Sequence, residues 1–85
     1  MPVISYFFGI YIKMYADEHG LPHFHAEYGD YKISVEIKSG VVRGKFPPRA
    51  LRLVWEWVES HRDELLVDWD KLQQGLDADK IEGLE

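Results

Sequence analysis

From His23 to Tyr28 the chain alternates between two kinds of side chain, with His23, His25 and Glu27 on one side and Phe24, Ala26 and Tyr28 on the other. A period of two is the mark of a strand with one apolar and one polar face. Gly29-Asp30 follows at once, and glycine at the first central position of a two-residue loop suits a type II′ hairpin. That turn predicts a register: Tyr28 opposite Tyr31, Glu27 opposite Lys32, Ala26 opposite Ile33, His25 opposite Ser34, Phe24 opposite Val35 and His23 opposite Glu36. Apolar side chains then meet apolar ones and polar meet polar, as a half-buried sheet requires. A second short loop at Ser39-Gly40 predicts Ile37 opposite Val42 and Glu36 opposite Arg43.

The flanking segments extend this plan. Val3 to Phe8 is an apolar run that Gly9 interrupts before Ile10, Ile12 and Met14, which share a face; it reads as one first strand with a bend or bulge at Gly9. Asp17-Glu18-His19-Gly20 is turn chemistry, and Pro22 leads into the second strand with an extended backbone.

After Pro47-Pro48 the spacing becomes helical, with Arg52, Glu56, Glu59 and Asp63 on a polar stripe and Ala50, Leu51, Val54, Trp55, Val58 and Leu65 opposite. Trp55 and Trp57 do not fit together on one inward face, so one of them is expected to mark an interface. A straight helix from Pro48 to Gln74 would be about 40 Å long, against roughly 31 Å for the diameter of a compact chain of this size. A break is therefore expected near Ser60, where Ser60 and Asp63 read as a capping box. Gly75 is the expected stop, and Leu76 to Glu85 reads as an extended, partly mobile tail anchored by Leu76, Ile81 and Leu84.

The expected fold is α+β: one domain over residues 1–85, strand-rich over 3–46 and helical over 48–74, with the tail at 76–85. A small antiparallel meander of about four strands carries the C-terminal helices on one face.

Length and composition narrow the function. A chain of 85 residues buries only roughly 60–65% of its unfolded surface, so most apolar positions must serve the core. No apolar run approaches the ~20 residues that span a bilayer, and Met1 to Tyr6 lacks the pattern of a secretory leader. The absence of cysteine excludes disulfides and thiolate chemistry and suits the cytoplasm.

The net charge of −5 is unevenly spread: residues 1–31 carry −3, residues 32–52 carry +5 and residues 53–85 carry −7. The basic strip holds Lys32, Lys38, Arg43, Lys45, Arg49 and Arg52 against the single acid Glu36. Pairing with the chain's own acids is the first expectation for this strip, and an anionic partner the second. The overall charge disfavours a long nucleic-acid backbone as that partner.

His23 and His25, two apart on a strand, can reach one divalent ion such as Zn²⁺. His19, Asp17, Glu27 and Glu36 are the nearby residues that could complete the shell, and His19, His23, His25, Glu27 and Glu36 form the candidate polar site. The competing reading is that the His23–Glu36 and His25–Ser34 pairs satisfy both rings without an ion. An imidazole here has the pKa range for general acid–base work. No nucleophile stands out, since Ser34 facing His25 lacks a third group to complete a triad. The isolated glycines are explained by turns, which argues against a phosphate loop and a nucleotide cofactor. Tyr11, Tyr15, Tyr28 and Tyr31 beside Lys13 and Lys32 could stack on RNA, although tyrosines on a small sheet are more simply packing.

The run from Phe8 to Tyr15, the residues Asp17 and Glu18, the segment Pro22-His23-Phe24-His25-Ala26-Glu27-Tyr28, then Pro48-Arg49-Ala50-Leu51 and the stretch from Glu56 to Leu66 resemble a short bacterial domain of unknown function, the DUF4160 family. The resemblance covers nearly the whole chain. It carries no established activity and no functional residues, but it implies a companion, because members are often encoded beside another small domain of unknown function. The reading is thus a cytoplasmic protein that binds a partner, one member of a two-gene regulatory or toxin–antitoxin-like module, more a binder than an enzyme. The alternative is a metal-dependent hydrolase or nuclease using the His23/His25 face. The sequence leaves open whether a second copy of the chain also binds.

Overall fold

A computed structural model describes residues 3–85. Met1 and Pro2, part of the stretch read for a leader, lie outside the described residues. Five strands, β1 (Val3–Phe7), β2 (Ile10–Lys13), β3 (His23–Tyr28), β4 (Tyr31–Glu36) and β5 (Val42–Gly44), are followed by the helix α1 (Pro48–Gln73). The strands form one antiparallel meander in the order β1-β2-β3-β4-β5, so the fold is α+β as read, with one strand more than expected.

The extra strand comes from Phe8-Gly9. Both residues have positive φ, +48° and +81°, and in a two-residue loop this is the type I′ geometry that closes a hairpin. Tyr6 therefore faces Tyr11 and Phe7 faces Ile10, where a single bent strand had been expected. Phenylalanine is a rare choice at such a φ, and it hides the turn from sequence rules built on Asn, Asp and Gly.

The β3–β4 hairpin has the predicted register at all six positions, from His23 opposite Glu36 to Tyr28 opposite Tyr31. Gly29 supplies the positive φ, +58°, that its turn needs. The next hairpin departs from expectation. Ser34 faces Arg43 and Val35 faces Val42, a shift of two residues from the predicted pairing of Glu36 with Arg43 and Ile37 with Val42. The Glu36 N–H donates to the Val41 carbonyl and the Gly40 N–H to the Glu36 carbonyl, so the loop spans Ile37 to Gly40 rather than Ser39-Gly40 alone. The longer loop leaves Ile37 fully buried, and an even shift keeps every side chain on its predicted face.

Ile10, Ile12, Phe24, Ala26, Ile33, Val35 and Ile37 line the buried side of the sheet against Ala50, Val54, Trp57, Val58, Leu65 and Trp69 of α1. Trp57 is fully buried between Phe7 and Phe24, with ring centroids at 5.4 and 5.9 Å. Trp55, assigned from its spacing to the apolar side of the helix, is instead exposed. The core stripe runs Ala50, Val54, Trp57 and Val58, Leu65, Trp69, and at about 100° per residue Trp55 points away from it.

A straight helix of 26 residues would be about 39 Å long, more than the 34 Å longest dimension of the molecule. The helix kinks at His61, which leaves helical geometry with φ −130° and ψ 18°. This lies inside the expected Ser60–Asp63 window, but the side-chain bond there joins His61 Nδ1 to Glu64 Oε1 at 2.6 Å, one residue on from the predicted Ser60–Asp63 box. Arg62 then donates to the Ile37 carbonyl at 3.0 Å, fastening the kink to the β4–β5 loop.

Gly75 ends the helix with φ +80°, its own N–H bonding the Leu72 carbonyl and the N–H of Leu76 bonding that of Lys71, a Schellman closure. The tail, expected to be partly mobile, is tied down along the free edge of β1. Ile81 N–H donates to the Ile4 carbonyl, Lys80 Nζ to the Val3 carbonyl and Trp57 Nε1 to the Glu82 carbonyl. Ile81 is buried and Leu84 partly buried, whereas Leu76 is exposed and anchors nothing. A covered edge strand is protected from pairing with other chains. Among the described residues no helix is long and apolar enough to cross a membrane.

Candidate metal centre and basic strip

Strand alternation places His23 and His25 together, and the loop from Met14 to Pro22 supplies what the strand lacks. Glu18, in that loop, brings Oε1 to 2.6 Å from His25 Nε2 and 3.3 Å from His23 Nε2. Gln73, near the end of α1, donates to the Glu18 carbonyl at 2.8 Å and so fixes the loop from the far end of the chain.

The second nitrogen of His23 lies 2.8 Å from the Leu21 carbonyl. A carbonyl can only accept, so Nδ1 carries the proton and a neutral His23 turns the lone pair of Nε2 toward Glu18. The rings are walled by aromatic neighbours, Trp69 at 5.0 Å from His23 and Tyr15 edge-on at 5.1 Å from His25. The three side chains are only 19–30% exposed, enough for a small ligand to reach them from one side.

Of the expected polar site, only His23 and His25 converge. His19 is exposed in the loop and outside the cluster. Glu27 is taken by Lys13 at 3.1 Å. Glu36, although opposite His23 on the ladder, accepts from Ser39 and Arg43 instead. The expectation that Glu36 and Ser34 satisfy the two imidazoles is therefore replaced by Glu18 and Leu21. The local sequence marks Glu18 as turn chemistry and its neighbour Asp17 as the candidate ligand, whereas Asp17 lies outside the cluster. The Gln73 contact that orients the loop spans 55 residues and leaves no local signal.

The basic strip also differs from expectation. Lys32, Lys38, Arg43, Lys45, Arg49 and Arg52 are all exposed. Only Arg43 has an acidic partner, Glu36 at 3.3 Å, and the other five enter no ion pair among the described residues. Internal pairing, the first expectation, holds for Arg43 alone; Glu27, the acid opposite Lys32, is paired with Lys13 instead. Arg49 lies in the first turn of α1, which carries no acid and no side-chain cap, a position where the helix dipole disfavours a cation.

Asp68 is a further polar group that sequence reasoning passed over. It is buried; Oδ1 accepts the Asp79 N–H at 2.9 Å and Oδ2 has no partner. Burial raises its pKa above the ordinary carboxylate value, outweighing the Asp79 hydrogen bond that lowers it.

No curated protein and no solved structure matches the chain. The family described as "Domain of unknown function (DUF4160)" matches residues 9–70, a stretch that holds Glu18, His23, His25 and all six cations of the strip. The chain therefore belongs to the DUF4160 family.

Proposed function

We propose that this domain works by binding an acidic partner protein, a small companion with which it forms a two-component regulatory or toxin–antitoxin-like pair in the cytoplasm of a bacterium. The observation that carries this reading is the set of five exposed cations without ion-pair partners among the described residues. Arg49 at a helix N-terminus that carries no acid costs stability. An arrangement that costs stability in the free protein is explained if an anionic surface neutralises it on binding. The net charge of −5 favours an acidic protein segment over a nucleic acid, whose long backbone would be repelled outside the strip.

The reading predicts opposite effects on stability and on binding. Arg49→Glu replaces an unfavourable charge at the helix N-terminus with a favourable one and should stabilise the free domain by about 0.5–1.5 kcal/mol in chemical denaturation. The same change should weaken the complex with the companion roughly fivefold or more, the worth of about one exposed charge pair. A variant that is both more stable and equally tight in binding would remove Arg49 from the interface.

A second reading, a metal-dependent hydrolase or nuclease working on the His23/His25 face, is favoured by one observation, the convergence of Glu18 on the two imidazoles. Three protein ligands and an open position are the usual plan of a hydrolytic zinc site.

A further inference from the structure

We propose that Glu18, His23 and His25 form a binding site for a single divalent transition-metal ion of the Zn²⁺ class. The inference is independent of the acidic-partner reading, and the hydrolase reading rests on it without following from it. One ligand atom from each residue lies within 4.8 Å of the other two. With bonds of about 2.0–2.1 Å, neighbouring ligand atoms of a tetrahedral zinc ion are about 3.3–3.4 Å apart. The separation of Glu18 Oε1 from His23 Nε2, 3.3 Å, already has this value. That from His25 Nε2, 2.6 Å, has to open by about 0.7 Å. Glu18 is on a partly exposed loop, so a side-chain adjustment of this size is within its reach.

The outer contacts agree with this assignment. A metal-bound histidine commonly donates its other N–H to a backbone carbonyl, which fixes the tautomer that presents a lone pair to the ion. Nδ1 of His23 does this toward Leu21. Gln73 holds the backbone of Glu18, and the Tyr15 and Trp69 rings restrict the imidazoles, so the donors are oriented before an ion arrives.

Two imidazoles and one carboxylate make a borderline donor set. It selects Zn²⁺, Co²⁺ or Ni²⁺ and discriminates against Mg²⁺ and Ca²⁺, which take oxygen shells. With three protein ligands the fourth position is left to water or an anion. His23 also lines a groove with Leu21, Ser34, Glu36 and Arg43, which adjoins the site.

The test is calorimetric titration of the chelator-stripped full chain with Zn²⁺ and with Mg²⁺, beside the variants Glu18→Gln, His25→Ala and Glu27→Gln, each checked for folding by circular dichroism. The expected result is one Zn²⁺ per chain and no Mg²⁺ binding. Affinity should fall at least about tenfold in Glu18→Gln and in His25→Ala, and stay unchanged in Glu27→Gln. Saturating Zn²⁺ should raise Tm for the native chain and for Glu27→Gln more than for the other two. Absence of Zn²⁺ binding, or a Zn²⁺ affinity that survives Glu18→Gln, would overturn the site as assigned.

Discussion

Trp57→Ala should be the most damaging single change in this chain, costing about 3–5 kcal/mol of folding stability. The side chain is fully buried, it touches the rings of Phe7, Phe24 and His61, and its Nε1–H holds the Glu82 carbonyl. Truncation therefore opens a cavity at the centre of the helix–sheet contact and also releases the tail that covers β1. A domain of 85 residues has roughly 4–13 kcal/mol in total, so the loss is between about a quarter and all of it. Chemical denaturation is the measurement. The matching experiment, Trp55→Ala, should change stability by no more than about 0.5 kcal/mol, because that ring is exposed. Equal losses at the two positions would contradict the helix orientation described above.

The second large effect is expected at Gly44. Its φ of +108° is one that side chains rarely adopt, and a Cβ there would lie 2.6 Å from the backbone carbonyl of Lys32. Neither obstacle is the end of a flexible side chain, so the strand itself has to move. Gly44→Ala should cost about 2–4 kcal/mol, strain and overpacking combined. It should also detach β5 from β4 and increase hydrogen exchange at their shared ladder. Gly40→Ala is the informative comparison. With φ +78° and nothing within 4 Å of the added methyl, it should cost about 1 kcal/mol and leave the ladder intact. Because Arg43 and Lys45 flank Gly44, its replacement should also disturb the basic strip, whereas Gly40 should not.

The features legible in the sequence were those that local physics decides. Alternation from His23 to Tyr28 and a glycine in the right place in the turn were enough for the whole β3–β4 register. The helix limits followed from Pro48 and Gly75, and its break near Ser60 from length together with the Ser60–Asp63 spacing. Four features depended on weaker or longer-range causes. Phe8 adopts a conformation that turn statistics give to other residues. The β4–β5 loop is longer than its Ser39-Gly40 core, and Ile37, at its start, is fully buried. The choice between Trp55 and Trp57 turns on a rotation of 200° around the helix, which the apolar spacing near Leu51 and Leu53 left ambiguous. Glu18 and the tail are positioned by contacts with Gln73, Trp57 and Ile4, residues far away in the chain.

The site shows the same division. Both histidines follow from strand parity, while the carboxylate that joins them arrives on a loop with no periodicity to read. The exposure of the basic strip could be read from sequence, but not which of its cations are paired: among the described residues Arg43 alone has an acid, and Glu27, opposite Lys32, goes to Lys13.

The central claim is that the unpaired cations, rather than the histidine face, bind the partner. It is tested most directly by measuring the affinity of the complex with the companion protein at low and at high salt, with and without chelator. Three proteins are compared: the native chain, Lys32→Ala with Lys45→Ala, and His23→Ala with His25→Ala. Affinity should fall steeply with salt and be weakened by the Lys32/Lys45 pair of changes. Chelator or loss of the histidines should have little effect. A salt-independent affinity that disappears with chelator or with the histidine changes would contradict it.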